Sequence, residues 1–261
     1  MDFTVTKYKQ LLSALKAGNY IFQPYADFIE SPAERAIILR HDVDGKKMNS
    51  LLFARMQTEA GLNGTYYFRV APKSYDEDVI SEIASLGHEI GYHYETMDTA
   101  HGDVDEAYDV FCRNLEMFRE LVPIKTICMH GSPLSKHDNR DLWKKYDYKT
   151  LGIIAEPYFD IDFKKVLYLT DTGRRWDGEK VSVRDKVNKE HGIWNMEHGS
   201  EVKSLKFHST DDIIQAAKTG KLPDKIMLTF HPQRWNDKPI PWVKELVFQN
   251  AKNIVKRMIV K

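Results

Sequence analysis

The chain has 261 residues, 42% of them hydrophobic and 29% charged, and its 38 basic side chains balance 38 acidic ones. That composition suits a globular protein with a sizeable core and excludes a strongly basic nucleic-acid binder. No apolar run approaches the ~20 residues of a membrane span. The opening segment, MDFTVTKYKQLLSALKAGNY, lacks the basic stretch and apolar run of a secretory leader, so a cytoplasmic address is expected.

In chain order, short apolar runs occur at Ala36–Leu39, Thr65–Val70, Glu89–Tyr92, Thr126–Met129, Leu151–Ile154, Val166–Leu169 and Ile226–Phe230. Several are almost wholly apolar, as buried parallel strands are. Helical patterns lie between them. Met48–Ala60 and Asp76–Leu86 each stop at a glycine, Gly61 and Gly87. Val104–Leu121 repeats its apolar residues on one helical face. Ser209 or Thr210 can cap a helix to about Thr219, and a last helix runs from about Trp242 to Met258. No linker or internal repeat divides the chain, so residues 1–261 are expected to form a single domain. Strands alternating with helices predict a parallel sheet wrapped by helices, and about seven units predict a distorted (β/α)7 TIM-like barrel. No Gly-rich turn follows the first strand, which argues against a dinucleotide-binding open sheet. Cys112 and Cys128 form no CxxC pair and are expected to be buried hydrophobes.

Polar residues gather where the strands end. RHDVDG (residues 40–45) follows the first run, Arg69 ends the second, and GYHYE carries His93 and Glu95 after the third. MHGSP carries His130, TDTG carries Asp171, and TFHPQRW carries His231 and Trp235. In a parallel barrel these ends converge on one face, where active sites form. Taken singly, Asp42 or Asp44 could cap the next helix, His93 could be a core histidine and His231 a turn residue. Taken together they suit a divalent ion, which needs imidazole and carboxylate ligands and an open position for water.

The runs LRHDVDG, GTYYFRV, GHEIGYHYE, MHGSP, DTGRRW and LTFHPQRW together resemble the polysaccharide deacetylases of carbohydrate esterase family 4, the NodB-homology group, over about residues 36–235. The resemblance implies a metal-dependent hydrolase that removes N-acetyl groups from a sugar or glycan precursor. It implies Asp42 as catalytic base, Asp44 and His93 as metal ligands, Asp171 as a tuning acid, Trp176 as a pocket wall and His231 as general acid. Zinc is the ion expected, and a carbohydrate, in one version nucleotide-linked, is the expected partner.

Two positions depart from the pattern. The second motif of the family is H-x-x-x-H, but the residue four after His93 is Met97, and a thioether is a poor ligand for such an ion. His130 is the foremost candidate for the third ligand, with a tuning role as its alternative; His88 and His101 are weaker candidates. Thr229 stands where the family places a leucine lining the acetate pocket. Arg69, Glu95, Trp176 and Trp235 are expected to meet substrate. The rival readings are a non-catalytic or metal-free carbohydrate-binding relative and a different metal-assisted hydrolysis on the same scaffold.

Overall fold

The computed structural model describes residues 1–131, 135–176, 205 and 207–259. At its centre lies a parallel sheet. Strands β1 (Ile21–Phe22) and β2 (Ala36–Val43) pair at Ile21–Ala36 and Phe22–Ile37. From β2 the sheet continues through β3 (Thr65–Phe68), β4 (Glu89–Tyr94) and β5 (Ile127–Met129). An isolated parallel bridge, Thr126–Ala155, adds one more stave beyond β5. On its other side β2 pairs with the last strand, Lys225–Phe230, which pairs with Leu167–Thr170; these are β7 and β6. The staves therefore follow chain order around a curled sheet: β2, β3, β4, β5, Ala155, β6, β7 and back to β2. Among the described residues no ladder joins the Ala155 edge to β6, so the distorted (β/α)7 barrel is open along that seam.

The alternation of a strand sorts its residues between two cores. Ile37, Leu39 and Val43 face outward and pack with Phe68, Tyr92, Leu228 and Phe230 against the surrounding helices. Ala36 and Ile38 face inward and meet Tyr67, Cys128, Tyr168 and Met227. Helix α1 (Val5–Ala17) starts at Thr4, whose hydroxyl accepts from Lys7 N. It buries Tyr8, Leu11, Leu12 and Leu15 on its core face, at about 1.5–3 kcal/mol for each such side chain removed from water. Helix α2 (Tyr25–Glu30) closes the barrel floor. Tyr25 N donates to Thr65 Oγ1 at 2.8 Å, and Ala26 N to Glu89 Oε2 at 3.0 Å. Gly91 leaves room for the Tyr67 ring, into which any Cβ at that position would run. The phenol shares a 2.9 Å hydrogen bond with Thr126 Oγ1.

Among the remaining helices the five long ones match the sequence pattern, and the two short ones are additions to it. They are α3 (Lys47–Glu59), α4 (Glu77–Ser85), the short α5 (Thr96–Thr99), α6 (Val104–Arg119), the short α7 (Pro157–Asp160), α8 (Thr210–Lys218) and α9 (Pro239–Ile259). Asp76 and Asp103 cap α4 and α6, and Ser209 forms a capping box with Asp212 at α8. Gly61 and Gly87 take the left-handed backbone expected after α3 and α4.

Three differences matter for the site. First, β2 runs four residues beyond Leu39, so Arg40, His41, Asp42 and Val43 belong to the strand, all buried. Asp42 therefore points into the barrel with Ile38 and Arg40. Second, neither Asp42 nor Asp44 caps α3: its N-cap is Lys46, in a left-handed conformation with no side-chain cap. Third, Leu151–Ile154 is not a strand. Residues Tyr148–Leu151 wind into a 3-10 turn, Gly152 turns left-handed, and pairing begins only at Ala155. No helix among the described residues is long and apolar enough to cross a membrane.

Candidate functional site

The strand ends bring Asp42, Asp44, His93, His130 and His231 together at the barrel mouth. Asp42 and His93 project inward from β2 and β4. Asp44, His130 and His231 each stand just past the end of a strand. Both Asp42 and His93 are almost wholly buried.

Every imidazole in this group has its Nδ1 engaged by an acceptor. His93 Nδ1 lies 2.9 Å from the Cys128 carbonyl, His130 Nδ1 2.8 Å from Glu95 Oε2, and His231 Nδ1 2.6 Å from Asp171 Oδ1. A carbonyl can only accept. Glu95 stays ionised as well: burial favours its neutral form, but the facing His130 and Arg69 together hold its carboxyl down at about 2. Asp171 is likewise held below the usual carboxylate range, where burial is outweighed by His231 and Arg234. In each neutral imidazole the proton therefore sits on Nδ1 and Nε2 presents a lone pair.

All three lone pairs face Asp44. Its Oδ1 is 3.6 Å from His93 Nε2 and 3.6 Å from His130 Nε2, while its Oδ2 is 3.7 Å from His231 Nε2. Asp44 Oδ1 is buried and has no hydrogen-bond donor. With both imidazoles neutral, a carboxylate oxygen and two imidazole lone pairs, all acceptors, converge on one another. A cation resolves that conflict. Two ligands about 2.0–2.1 Å from a tetrahedral zinc-like ion sit roughly 3.3–3.4 Å apart, close to the 3.6 Å found here. Asp44, His93 and His130 therefore suit a divalent ion by chemistry, and the two distances from Asp44 suit it by spacing.

A second grouping is less suited. Asp42, His93 and Cys128 bring a carboxylate oxygen, a ring nitrogen and the sulfur within 4.8 Å of one another. Asp42, however, is already neutralised by Arg40, whose Nε and Nη2 each donate to one of its oxygens at 2.8 Å. The guanidinium would repel a second cation at that carboxylate. Burial pushes the Asp42 carboxyl up, but Arg40 and the neighbouring His93 and His231 together leave it below its ordinary value.

Asp171 organises the other side of the mouth. Beyond the ring of His231 it accepts from His231 N at 3.0 Å, from Arg234 Nη1 at 2.9 Å and from Trp235 Nε1 at 2.7 Å. With this many donors converging on it, neither carboxylate oxygen can rotate away from His231.

Solved structures of carbohydrate esterase family 4 align with most of the chain. A wild-type pseudoenzyme of that family from Bacillus anthracis covers 87% of this chain and 66% of its own, at 11% identity and a TM-score of 0.44. A family 4 carbohydrate esterase from Streptomyces lividans, in complex with acetate, covers 85% of this chain and 90% of its own, at 13% identity and 0.41. A family 4 carbohydrate esterase from Bacillus subtilis covers 93% and 84%, at 12% identity and 0.36. The chain spans just under two thirds of the length of the first of these. No family model and no curated protein sequence matches it.

The remaining residues singled out in the sequence divide sharply. Arg69 and Glu95 are at the mouth, but they face each other: Arg69 Nη2 is 2.7 Å from both Glu95 oxygens. Trp235 is fully buried and Trp176 is 5% exposed, so both rings pack in the core with Phe3 and Phe230 instead of lining an open surface. Met97 is buried in the apolar core, and its backbone N–H donates to Asn139 Oδ1. His88 is a structural latch: Gly64 N donates to its Nδ1, and its Nε2 faces the Ala54 carbonyl. His101 occupies a left-handed turn. Thr229 faces inward in register with Arg40 and Thr170, its hydroxyl buried without a partner. The described part of MHGSP ends at Gly131. Arg40 and Arg234, both in the quoted runs, were given no role by sequence. Their signal was position: a buried strand-end arginine two residues from an acid, and another three residues after a histidine.

Proposed function

We propose that this protein is a divalent-metal-dependent hydrolase that removes an N-acetyl group from a sugar or glycan precursor. The observation that carries the reading is Asp44 Oδ1, buried without a donor and faced at 3.6 Å by the lone pairs of His93 and His130. Asp44, His93 and His130 would hold the ion, with zinc the natural choice for one carboxylate and two imidazoles. When bound, a divalent ion supplies Lewis-acid polarisation of the acyl oxygen and lowers the pKa of water.

The protein's own groups divide the proton transfers. Asp42 is ionised, oriented by Arg40, and 3.8 Å from His93 Nε2, so it can take a proton from water arriving beside the ligands. His231 stands on the opposite side of Asp44. When protonated at Nε2 it can deliver that proton to the departing amine, while Asp171 stabilises the resulting imidazolium at Nδ1. Arg234 and Trp235 hold Asp171 in place. The sugar as substrate class rests on the resemblance of the motif runs. Metal content separates this reading from the metal-free one, since the burial of Trp176 and Trp235 bears on both alike.

The test is metal content and activity together. Purified protein loaded with zinc should hold about one ion per chain, and His93→Ala should lose it. The wild type should release acetate from a panel of N-acetylated sugars. Wild type that binds no divalent ion after reconstitution would overturn the reading.

A further inference from the structure

The third ligand is the point at which this chain departs from the H-x-x-x-H pattern, and the structure shows what surrounds its replacement. Resting on the metal-centre reading above, we propose that Arg69 and Glu95 are positioning residues that make His130 a ligand in the place left by Met97. Glu95 Oε2 accepts from His130 Nδ1 at 2.8 Å, which fixes both the tautomer and the plane of the ring. Its own position is set by Arg69, with Nη2 at 2.7 Å from each oxygen and Nε at 3.1 Å from Oε1. Glu95 has no capping role to explain it, for although it occupies the N-cap position of α5 it makes no side-chain cap bond.

Arg69 reaches the opposite ligand as well. Its Nη1 donates to the Asp44 carbonyl at 3.4 Å. Its backbone N–H donates to Ser74 Oγ at 2.9 Å, and that hydroxyl donates onward to the Val43 carbonyl, one residue before Asp44. Arg69 therefore ties the segment carrying Asp44 to the residue that aims His130. One guanidinium sets the separation of two ligand-bearing loops from different strands. His93 needs no such device, because it lies within β4 and bonds a strand carbonyl, whereas His130 stands one residue past β5. Carboxylates that accept the outer N–H of a ligating histidine typically contribute 10–100-fold to metal affinity.

The experiment measures zinc affinity by chelator competition, and the cobalt(II) absorption spectrum, for purified wild type, His130→Ala, Glu95→Ala, Glu95→Gln and Arg69→Met. Thermal unfolding of each metal-free protein serves as the control. Glu95→Ala should weaken zinc binding about 10–100-fold and change the cobalt spectrum as His130→Ala does. Glu95→Gln, whose amide oxygen still accepts from Nδ1, should lose less, and Arg69→Met should fall between it and wild type. If Glu95→Ala does not fold, Glu95→Gln and Arg69→Met carry the comparison. A purely structural role would lower metal-free stability and leave affinity and spectrum unmoved, which would overturn the proposal. Loss of binding in Glu95→Ala with full affinity in His130→Ala would overturn it too. Failure of the metal-centre reading would show separately, as no zinc in the wild type.

Discussion

Arg40 and Asp42 stand two residues apart on one strand, and the guanidinium grips the carboxylate through two 2.8 Å hydrogen bonds in the barrel interior. Each neutralises the other where neither could be buried alone. Removing one partner of such a pair typically costs about 3–5 kcal/mol, because the other charge is stranded. Arg40→Met should therefore lose a large share of the stability measured by denaturant unfolding. Arg40→Lys should recover only part of it, since an ammonium cannot reproduce the two-pronged contact. A loss under 1 kcal/mol in Arg40→Met would contradict this account.

Asp171 and His231 give a kinetic prediction. Asp171→Asn should lower kcat by about 100-fold or more, the usual range for a general acid or base, while leaving zinc content at about one per chain. An amide beside Nδ1 no longer stabilises the imidazolium. Loss of zinc from this variant would instead make His231 a ligand.

His41 gives a prediction for acid stability. Its ring faces outward from β2 among Tyr8, Gln57 and Tyr66, and burial pulls its pKa down to about 3. Unfolded, it would titrate near 6.5. Below that value the unfolded chain binds a proton that the folded chain refuses. Stability from this site is therefore complete above about pH 6.5 and drains away as pH falls toward 3, at up to about 1.4 kcal/mol per unit. His41→Gln should flatten the acid limb of the stability-versus-pH curve. An unchanged limb would assign acid unfolding to other groups.

Glu156 works in the opposite direction. It is fully buried and accepts from Met129 N and Tyr158 N, and burial pushes its carboxyl up to about 7. The folded state holds this proton more tightly than the unfolded one, so stability falls as pH rises from about 4.5 to 7 and levels off above. The whole effect is at most roughly 3 kcal/mol. Glu156→Gln should gain stability relative to wild type at pH 8 compared with pH 5. Equal differences at both values would show that Glu156 titrates normally.

Most of the barrel was legible because its strands are short, apolar and separated by helices with clear stops. Gly61, Gly87, Asp76 and Ser209 each do locally what their residue type suggests. Leu151–Ile154 misled because its apolar residues serve a 3-10 turn, and one left-handed glycine shifted the pairing to Ala155. The end of β2 was read four residues early because Arg40, His41 and Asp42 look like loop residues. Only their partners reveal them as strand: Asp42 for Arg40, and Tyr8, Gln57 and the Thr65 carbonyl for His41. The gathering of Asp42, Asp44, His93, His130 and His231 followed from strand-end placement alone. The pairing of Arg69 with Glu95 did not, since it joins two staves through side chains whose directions no spacing encodes. The burial of Trp176 and Trp235 was equally hidden, because an aromatic ring suits a sugar platform and a core alike.

Met97 bears on how this scaffold can change over time. It lies inside the apolar core, with its backbone pinned by Asn139, so the turn after β4 serves packing. The segment from Thr96 to Gly102 is thereby released from coordination chemistry. What still constrains it is packing: Thr96, Met97 and Ala100 are buried, and Gly102 has a left-handed backbone with the His137 ring standing where a Cβ would go.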